Sequence, residues 1–340
     1  MNHIKRNGWL IKGGLMLVMG IAIFSFIDYL REMAMHRMPE GLHEFRVADP
    51  IPDCSRWKQH MPATRDRATY DLYMQARKLW RSKIEWELTH SEARKILDDV
   101  DLASKRGDWG ARALMAYFYR TGLGPLSSNK VLDKNADKAV EIARQAAAAG
   151  QPWGFYDLGV AHEHGYGGAI YDQDIAWAYY LKAARVGSPD AQMALAEAYQ
   201  NAGRSDAHDA MWQCAFQQGH GPAAYKLALR AEVRGKYWES LNLYQEGVRF
   251  GSRICADNLY LMFNPDVRMA ERKEIFEATG ITTDQERGRR YLAISEALQV
   301  NPDLRLDRLN EFLPLPPAKL PEWRGVSDVI TPESDGPPTY

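Results

Sequence analysis

The sequence is poor in the features that assign a protein quickly. Its 340 residues hold three cysteines, Cys54, Cys214 and Cys255. No two stand at the CxxC spacing of a zinc or dithiol site, and they are too scattered to read as a disulfide framework. The redox compartment is therefore not readable from cysteine. An excess of one charge is also missing: 43 Lys and Arg against 44 Asp and Glu leave a net charge of -1, which removes the general pull of a basic chain toward nucleic acid. No GxSxG elbow, P-loop, HExxH or strand-borne GxGxxG is present, so the usual nucleophilic, nucleotide-binding and zinc signatures are lacking. The expectation is a protein that is not an enzyme and uses no cofactor, no metal and no nucleic acid. β-Branched runs are scarce, whereas 10 Trp and 17 Tyr stand among many Ala. That mixture favours helices packed aromatic on small, hence an all-α fold.

Long apolar runs are lacking after residue 27. Before it, Lys5, Arg6 and Lys12 lead into "GGLMLVMGIAIFSFI" (13 to 27), a run just long enough to span a bilayer when counted from Trp9 with Lys12 snorkelling. No small-x-small cleavage site follows, which favours an uncleaved signal anchor over 1–30. The basic residues before the run keep the amino end in the cytoplasm. The expectation is a single-pass inner-membrane protein with its bulk in the bacterial periplasm.

What the chain has in quantity is Ala-rich helix closed by glycine. "LASKRG" ends at Gly107, "QAAAAG" at Gly150, "KAARVG" at Gly187, "CAFQQG" at Gly219 and "EGVRFG" at Gly251. Such a ladder indicates an α/α solenoid. Four residues after each glycine stand Ala111, Gly154, Ala191, Ala223 and Cys255, and eight after stand Met115, Leu158, Leu195, Leu227 and Leu259. Small then large, four apart, marks one helix face. Tyr180, Trp212 and Tyr244, each seven before a glycine, are the knobs that fill the space between hairpins.

The ladder decides how "HEHGYGG" (162 to 168) is read. Two imidazoles flanking a carboxylate suggest a metal site, but "HEHGYG" aligns with "YRTGLG" (119 to 124), where the glycines form the turn inside a helix pair. Residues two apart on a helix point about 200° from each other, a poor geometry for chelation by His162 and His164. Asp172 and Asp174 in "YDQD" stand at a helix start, where capping accounts for them. Cys214 and Cys255, flanked by apolar positions, read as buried small hydrophobes rather than nucleophiles.

"AQMALAEAYQNAG" (191 to 203), "DIAWAYYLKAARVG" (174 to 187) and the two glycine turns resemble the Sel-1-like repeats, relatives of the tetratricopeptide repeats with a longer interhelical turn. The resemblance implies fold, over roughly 90 to 262, and no activity. The expected organisation is an anchor at 1–30, a linker at 31–53, a helical cap at 54–90, repeats at 91–262 and further helices at 263–300. A Pro-rich segment follows at 301–325, extended and packed on the chain through Leu304, Leu309, Phe312, Leu320 and Trp323, then a disordered tail at 326–340. Its PxxPxK stretch also fits a peptide for an SH3-type groove, but those anchors favour self-packing. "PLPPAKLPEW" (314 to 323) together with Cys54, Trp57 and Pro62 resembles a narrower group of domain-of-unknown-function proteins, regarded as immunity proteins against lipase effectors of type VI secretion.

A solenoid without catalytic signatures acts by contact. Counting 100° per residue, the side chains aimed away from the stack, at a concave partner-binding face, are Tyr117, Arg120, Tyr156, Glu163, His164, Glu197, Gln200 and Asn201. Tyr and Arg suit interface anchors, and the carboxylates suit a basic partner. A solvated face accounts for them equally. The resemblance implies a toxin partner of lipase type; the same features serve a periplasmic scaffold or regulatory adaptor for an endogenous protein.

Overall fold

Five glycines turn the chain where the ladder places them. Gly107, Gly150, Gly187, Gly219 and Gly251 all have φ between +76° and +95°, the left-handed region in which only glycine sits at ease. At each, the amide of the next residue donates to the carbonyl four before the glycine, as from Ser188 to Ala183 at 2.9 Å. This closes one helix and aims the next back alongside it. The computed structural model describes residues 36–266 and 272–331. The expected anchor at 1–30 and the end of the tail, 332–340, lie outside the described residues.

Six helix pairs follow one another. The first is a cap, α1 (Arg67–Trp80) with α2 (His90–Lys105), and Gly107 closes it. Four pairs form the array: α3 (Trp109–Thr121) with α4 (Ala136–Ala148), α5 (Pro152–His164) with α6 (Gln173–Arg185), α7 (Pro189–Asn201) with α8 (Ser205–Phe216), and α9 (Gly221–Val233) with α10 (Tyr237–Arg249). In the sixth, α11 (Arg253–Phe263) packs on α13 (Gln285–Val300), with the short α12 (Arg272–Thr279) between them in sequence. One turn of helix, α14 (Leu309–Phe312), lies in the carboxyl segment. Among the described residues there is no strand, only a bridge between Leu123 and Leu132, and no helix long and apolar enough to cross a membrane.

Starts are written locally. Asp66, Asp108, Asp172, Ser188, Ser252 and Asp284 cap their helices by accepting from the amide three residues on, and Thr89 with Glu92 forms a reciprocal capping box. The small positions of the ladder are sealed: Ala111, Ala191, Ala223 and Cys255 are fully buried, as are Leu195 and Leu259. The knobs Tyr180, Trp212 and Tyr244 are buried as well. Gly159 shows why small residues face them, since a Cβ there would sit 2.5 Å from the Tyr180 ring.

Two segments differ from the expectation. The stretch 36–66 is no free linker leading into a helical cap. It runs back along the array as a strap, with Phe45 stacked on Trp177 (5.3 Å) and edge-on to Tyr199, and the Trp57 amide donating to Gln218 Oε1 (2.9 Å). Trp57 meets Trp109 edge to face, and Arg65 reaches Asp108 through two bonds of 2.8 and 2.7 Å. Cys54 is bonded to Cys214, 160 residues away, with Cα atoms 5.4 Å apart, so the two do form a disulfide and Cys214 is not simply a small core residue. Cys255 stays a buried free thiol, pushed up to about 12 by burial.

At the carboxyl end, Leu309 is fully buried, and Leu304, Phe312, Leu320 and Trp323 pack against the same core. Order does not stop at residue 325. Val329 is fully buried, Asp328 accepts from the Arg324 amide at 2.8 Å, and the Thr331 amide donates to the Arg305 carbonyl. The reason is apolar: Val329 plugs the cluster built by Leu306, Leu309 and Leu313. The carboxyl segment also reaches the cap, because Asp303 Oδ2 accepts from Arg77 of α1 and from Arg81 just past its end, each at 3.0 Å. The two ends of the array meet.

Candidate partner-binding surface

Three first helices of the array, α3, α5 and α7, carry the predicted side chains, and packing sorts these into separate groups. Arg120, Tyr156 and Glu163 come together around a residue the angular count passed over, Asp157. Its carboxylate lies 3.6 Å from an Arg120 guanidinium nitrogen, it is buried, and Oδ1 has no hydrogen-bond partner among the described residues. Burial pushes its pKa up to about 6; Arg120 pulls it down and Asp190 adds to the rise. The Tyr156 ring is 5.5 Å from that of Tyr180, whose hydroxyl donates to Glu163 Oε2 at 2.5 Å. Burial, then the Glu163 carboxylate, drives the Tyr180 hydroxyl pKa upward, so this phenol is a donor at neutral pH.

Tyr117 belongs elsewhere. It packs on Trp80 of the cap at 5.5 Å, with the Arg120 guanidinium 5.8 Å from its ring. His164 and Asn201 are exposed at helix ends. Glu197 pairs with Lys226 across to α9 at 3.7 Å, and Gln200 lines a cavity between α7, α8 and α9 with His208, Trp212 and Lys226. The carboxylates of this face are thus already engaged: Asp157 by Arg120, Glu163 by Tyr180 and Glu197 by Lys226. The cavity beside Gln200 is cationic, with Arg230, paired to Asp209, and Arg234 on it as well.

The turn histidines divide. His162 Nδ1 donates to the Ile170 carbonyl at 3.0 Å, its ring stacks on Tyr179 at 5.4 Å, and burial lowers its pKa. It is a neutral wedge holding the turn. Gly165 ends α5 in the left-handed region, at φ 66°. Asp172 caps α6 through the Ile175 amide, as its position at a helix start implied. Among the described residues no group of three or more His, Cys, Asp or Glu could hold a metal ion.

Asp157 had a signal in the sequence, as the one charge inside the apolar stretch "PWGFYDLGV" (152 to 160). The basic cavity was only half written: Lys226, Arg230 and Arg234 recur every four residues along α9 and just past its end, but only packing brings them against His208 and Trp212 of α8.

The chain is similar to known proteins at two levels. Residues 256–338, from α11 through the carboxyl segment, match the family described as a domain of unknown function, DUF6396. Among solved structures it is similar to a Pseudomonas aeruginosa protein described as 5086 (PA5086), at 26% identity over 79% of this chain and 96% of that one, with a TM-score of 0.65. It is likewise similar to immunity protein Pa5087 from Pseudomonas aeruginosa, at 26% identity over 78% of this chain and 94% of that one, TM-score 0.62. Immunity protein PA5088 from the same organism shares the fold at 24% identity, over 78% and 94%, TM-score 0.60. No curated protein matches the sequence. No catalytic family is indicated by these likenesses.

Proposed function

We propose that this protein is an immunity protein that binds and neutralises a toxin, a lipase or phospholipase delivered by type VI secretion. The observation that carries the reading is the likeness to immunity protein Pa5087 along almost all of that chain. A stack of helix pairs supports it physically, because such an array offers a long binding surface and acts by contact. The ending "PLPPAKLPEW" supports the lipase class through the resemblance it carries. Anchoring by the apolar run at 13–27 holds the array on the periplasmic side of the inner membrane, beside the lipid under attack. The Cys54–Cys214 bond suits that oxidising compartment.

The test co-expresses a type VI effector of lipase type, directed to the periplasm, with and without the protein. Wild type is expected to restore growth and to co-purify with the toxin. The paired exposed changes Gln200→Glu and Asn201→Glu are expected to weaken both. Wild-type protein that neither binds nor protects overturns the reading.

A further inference from the structure

Between α7, α8 and α9 lies a cavity of about 380 Å³. Trp212, His208 and Leu229 make its apolar wall, and Lys226, Arg230 and Arg234 its charged side. His208 and Trp212 are both at least nine-tenths buried. His208 Nε2 and the Trp212 indole nitrogen have no hydrogen-bond partner among the described residues. His208 Nδ1 lies 2.7 Å from Arg230 Nη1; a guanidinium only donates, so the neutral tautomer that accepts from Arg230 carries its hydrogen on Nε2, whereas the other tautomer would donate to Asp209. Burial, then Arg230 and Arg234, holds the ring neutral by lowering its pKa. Nδ1 is also 3.0 Å from Asp209 Oδ1, whose charge Arg230 matches in an ion pair. In the Arg230-bound tautomer the wall holds two adjacent N–H donors, ring centroids 3.8 Å apart, that lack an acceptor among the described residues. Buried donors left unsatisfied are costly.

The charges are unbalanced in the same direction. Glu197 faces Lys226 and Asp209 faces Arg230, which leaves Arg234 as the surplus cation. Val233, at the cavity edge, is 89% exposed. Two orphan donors, a surplus cation and an apolar lip form a site for a carboxylate carried beside an apolar group. The cavity is at the small end of ligand pockets, about 300 to 1,000 Å³, which suits one or two side chains rather than a lipid with its acyl chains.

We propose that this cavity is an anchor site for an acidic residue flanked by an apolar one, presented by the protein partner. The inference rests on the binding role argued above and supplies the chemistry of one contact. The carboxylate accepts from His208 and Trp212 while Arg234 faces its charge, and the apolar neighbour covers Leu229 and Val233.

The test uses the full-length protein in detergent, labelled with 5-fluorotryptophan, with the Trp212 resonance identified by Trp212→Phe. N-acetyl-leucyl-glutamic acid amide is expected to shift that resonance saturably, and the isosteric glutamine peptide to leave it in place. In Lys226→Glu/Arg234→Glu, two changes at accessible positions that the core does not need, the glutamate peptide is expected to bind at least about tenfold more weakly. No shift with the glutamate peptide, an equal shift with the glutamine peptide, or an unchanged titration in the double variant overturns the proposal. Phosphatidylglycerol vesicles that move the resonance when the peptide does not would overturn it in favour of a lipid headgroup. In the growth assay, protection by wild type and equally by the double variant overturns the anchor site and leaves immunity standing. Failure of wild type to protect overturns immunity whatever the peptide does.

Discussion

At the scale of single residues, Asp157 sets one charge against its surroundings. Burial raises its pKa to about 6, and the Arg120 guanidinium 3.6 Å away offsets only part of that. The unfolded chain releases the same proton near pH 3.9. Between those values the folded form binds more protons than the unfolded one, so stability falls as pH rises. The contribution is fully present below about pH 4 and is lost as pH passes about 6, where the fold carries a buried carboxylate costing on the order of 2 to 3 kcal/mol. Asp157→Asn is therefore expected to raise the melting temperature at pH 7.5 and to change it little at pH 4. Melts across that range check it; a lower melting temperature at pH 7.5 would mean that the Arg120 pair outweighs desolvation.

At the scale of elements, the helices and their junctions were legible because each is written within a few residues: a cap, an apolar face of period 3.6, a glycine. Gly187 and Tyr180 were readable in this way, and the structure seats them as the ladder implies. The strap was not. Its partners lie far along the chain, Cys54 on Cys214 and Arg65 on Asp108, and no local period encodes such pairings. Of the eight predicted surface residues, angle alone placed exposed Glu197, Gln200, His164 and Asn201 well clear of the core. It missed that Tyr117 is held by Trp80, because the cap's approach is not a property of α3. Two glycines separate the local rule from the distant one. Gly150, at φ 76°, has open space where a Cβ would stand, whereas at Gly187, φ 92°, a Cβ would lie 2.4 Å from the Arg56 carbonyl carbon and the Trp57 nitrogen. Gly150→Ala is expected to cost about 1 to 2 kcal/mol, the left-handed penalty alone. Gly187→Ala adds overpacking of about 1 to 3 kcal/mol and lifts the strap, so limited proteolysis within 45–60 should quicken in that variant only. Equal cleavage in both would show that the strap does not depend on this seat.

At the scale of the whole molecule, the junction of the two ends changes how the array holds together. An open solenoid is stabilised pair by pair, and damage at one end stays near that end. Here Asp303, in the carboxyl segment, is buried between Arg77 of the first helix and Arg81 just past its end. Burial alone would raise its pKa, but the two guanidiniums win and hold it below the usual carboxylate range. The sign is the reverse of that for Asp157: this stabilisation is present above the unfolded pKa near 3.9 and is lost as pH falls through the lower folded value. Asp303→Asn keeps the shape but leaves two largely buried guanidiniums without their counter-charge, a loss of about 3 to 5 kcal/mol when one partner of a buried pair is removed. The damage should appear at both ends. Amides of α1 and α2 are expected to exchange faster with solvent in Asp303→Asn although the change lies more than two hundred residues away in sequence. Truncation after residue 325 should reach the same helices more weakly, because it removes Val329 from the core beneath Leu306 and frees Arg305, whose carbonyl holds Thr331 and whose guanidinium donates to the Phe250 carbonyl. Faster exchange confined to 301–313, with α1 as protected as in wild type, would mean that the contact follows from the packing of the two ends and does not help to hold it.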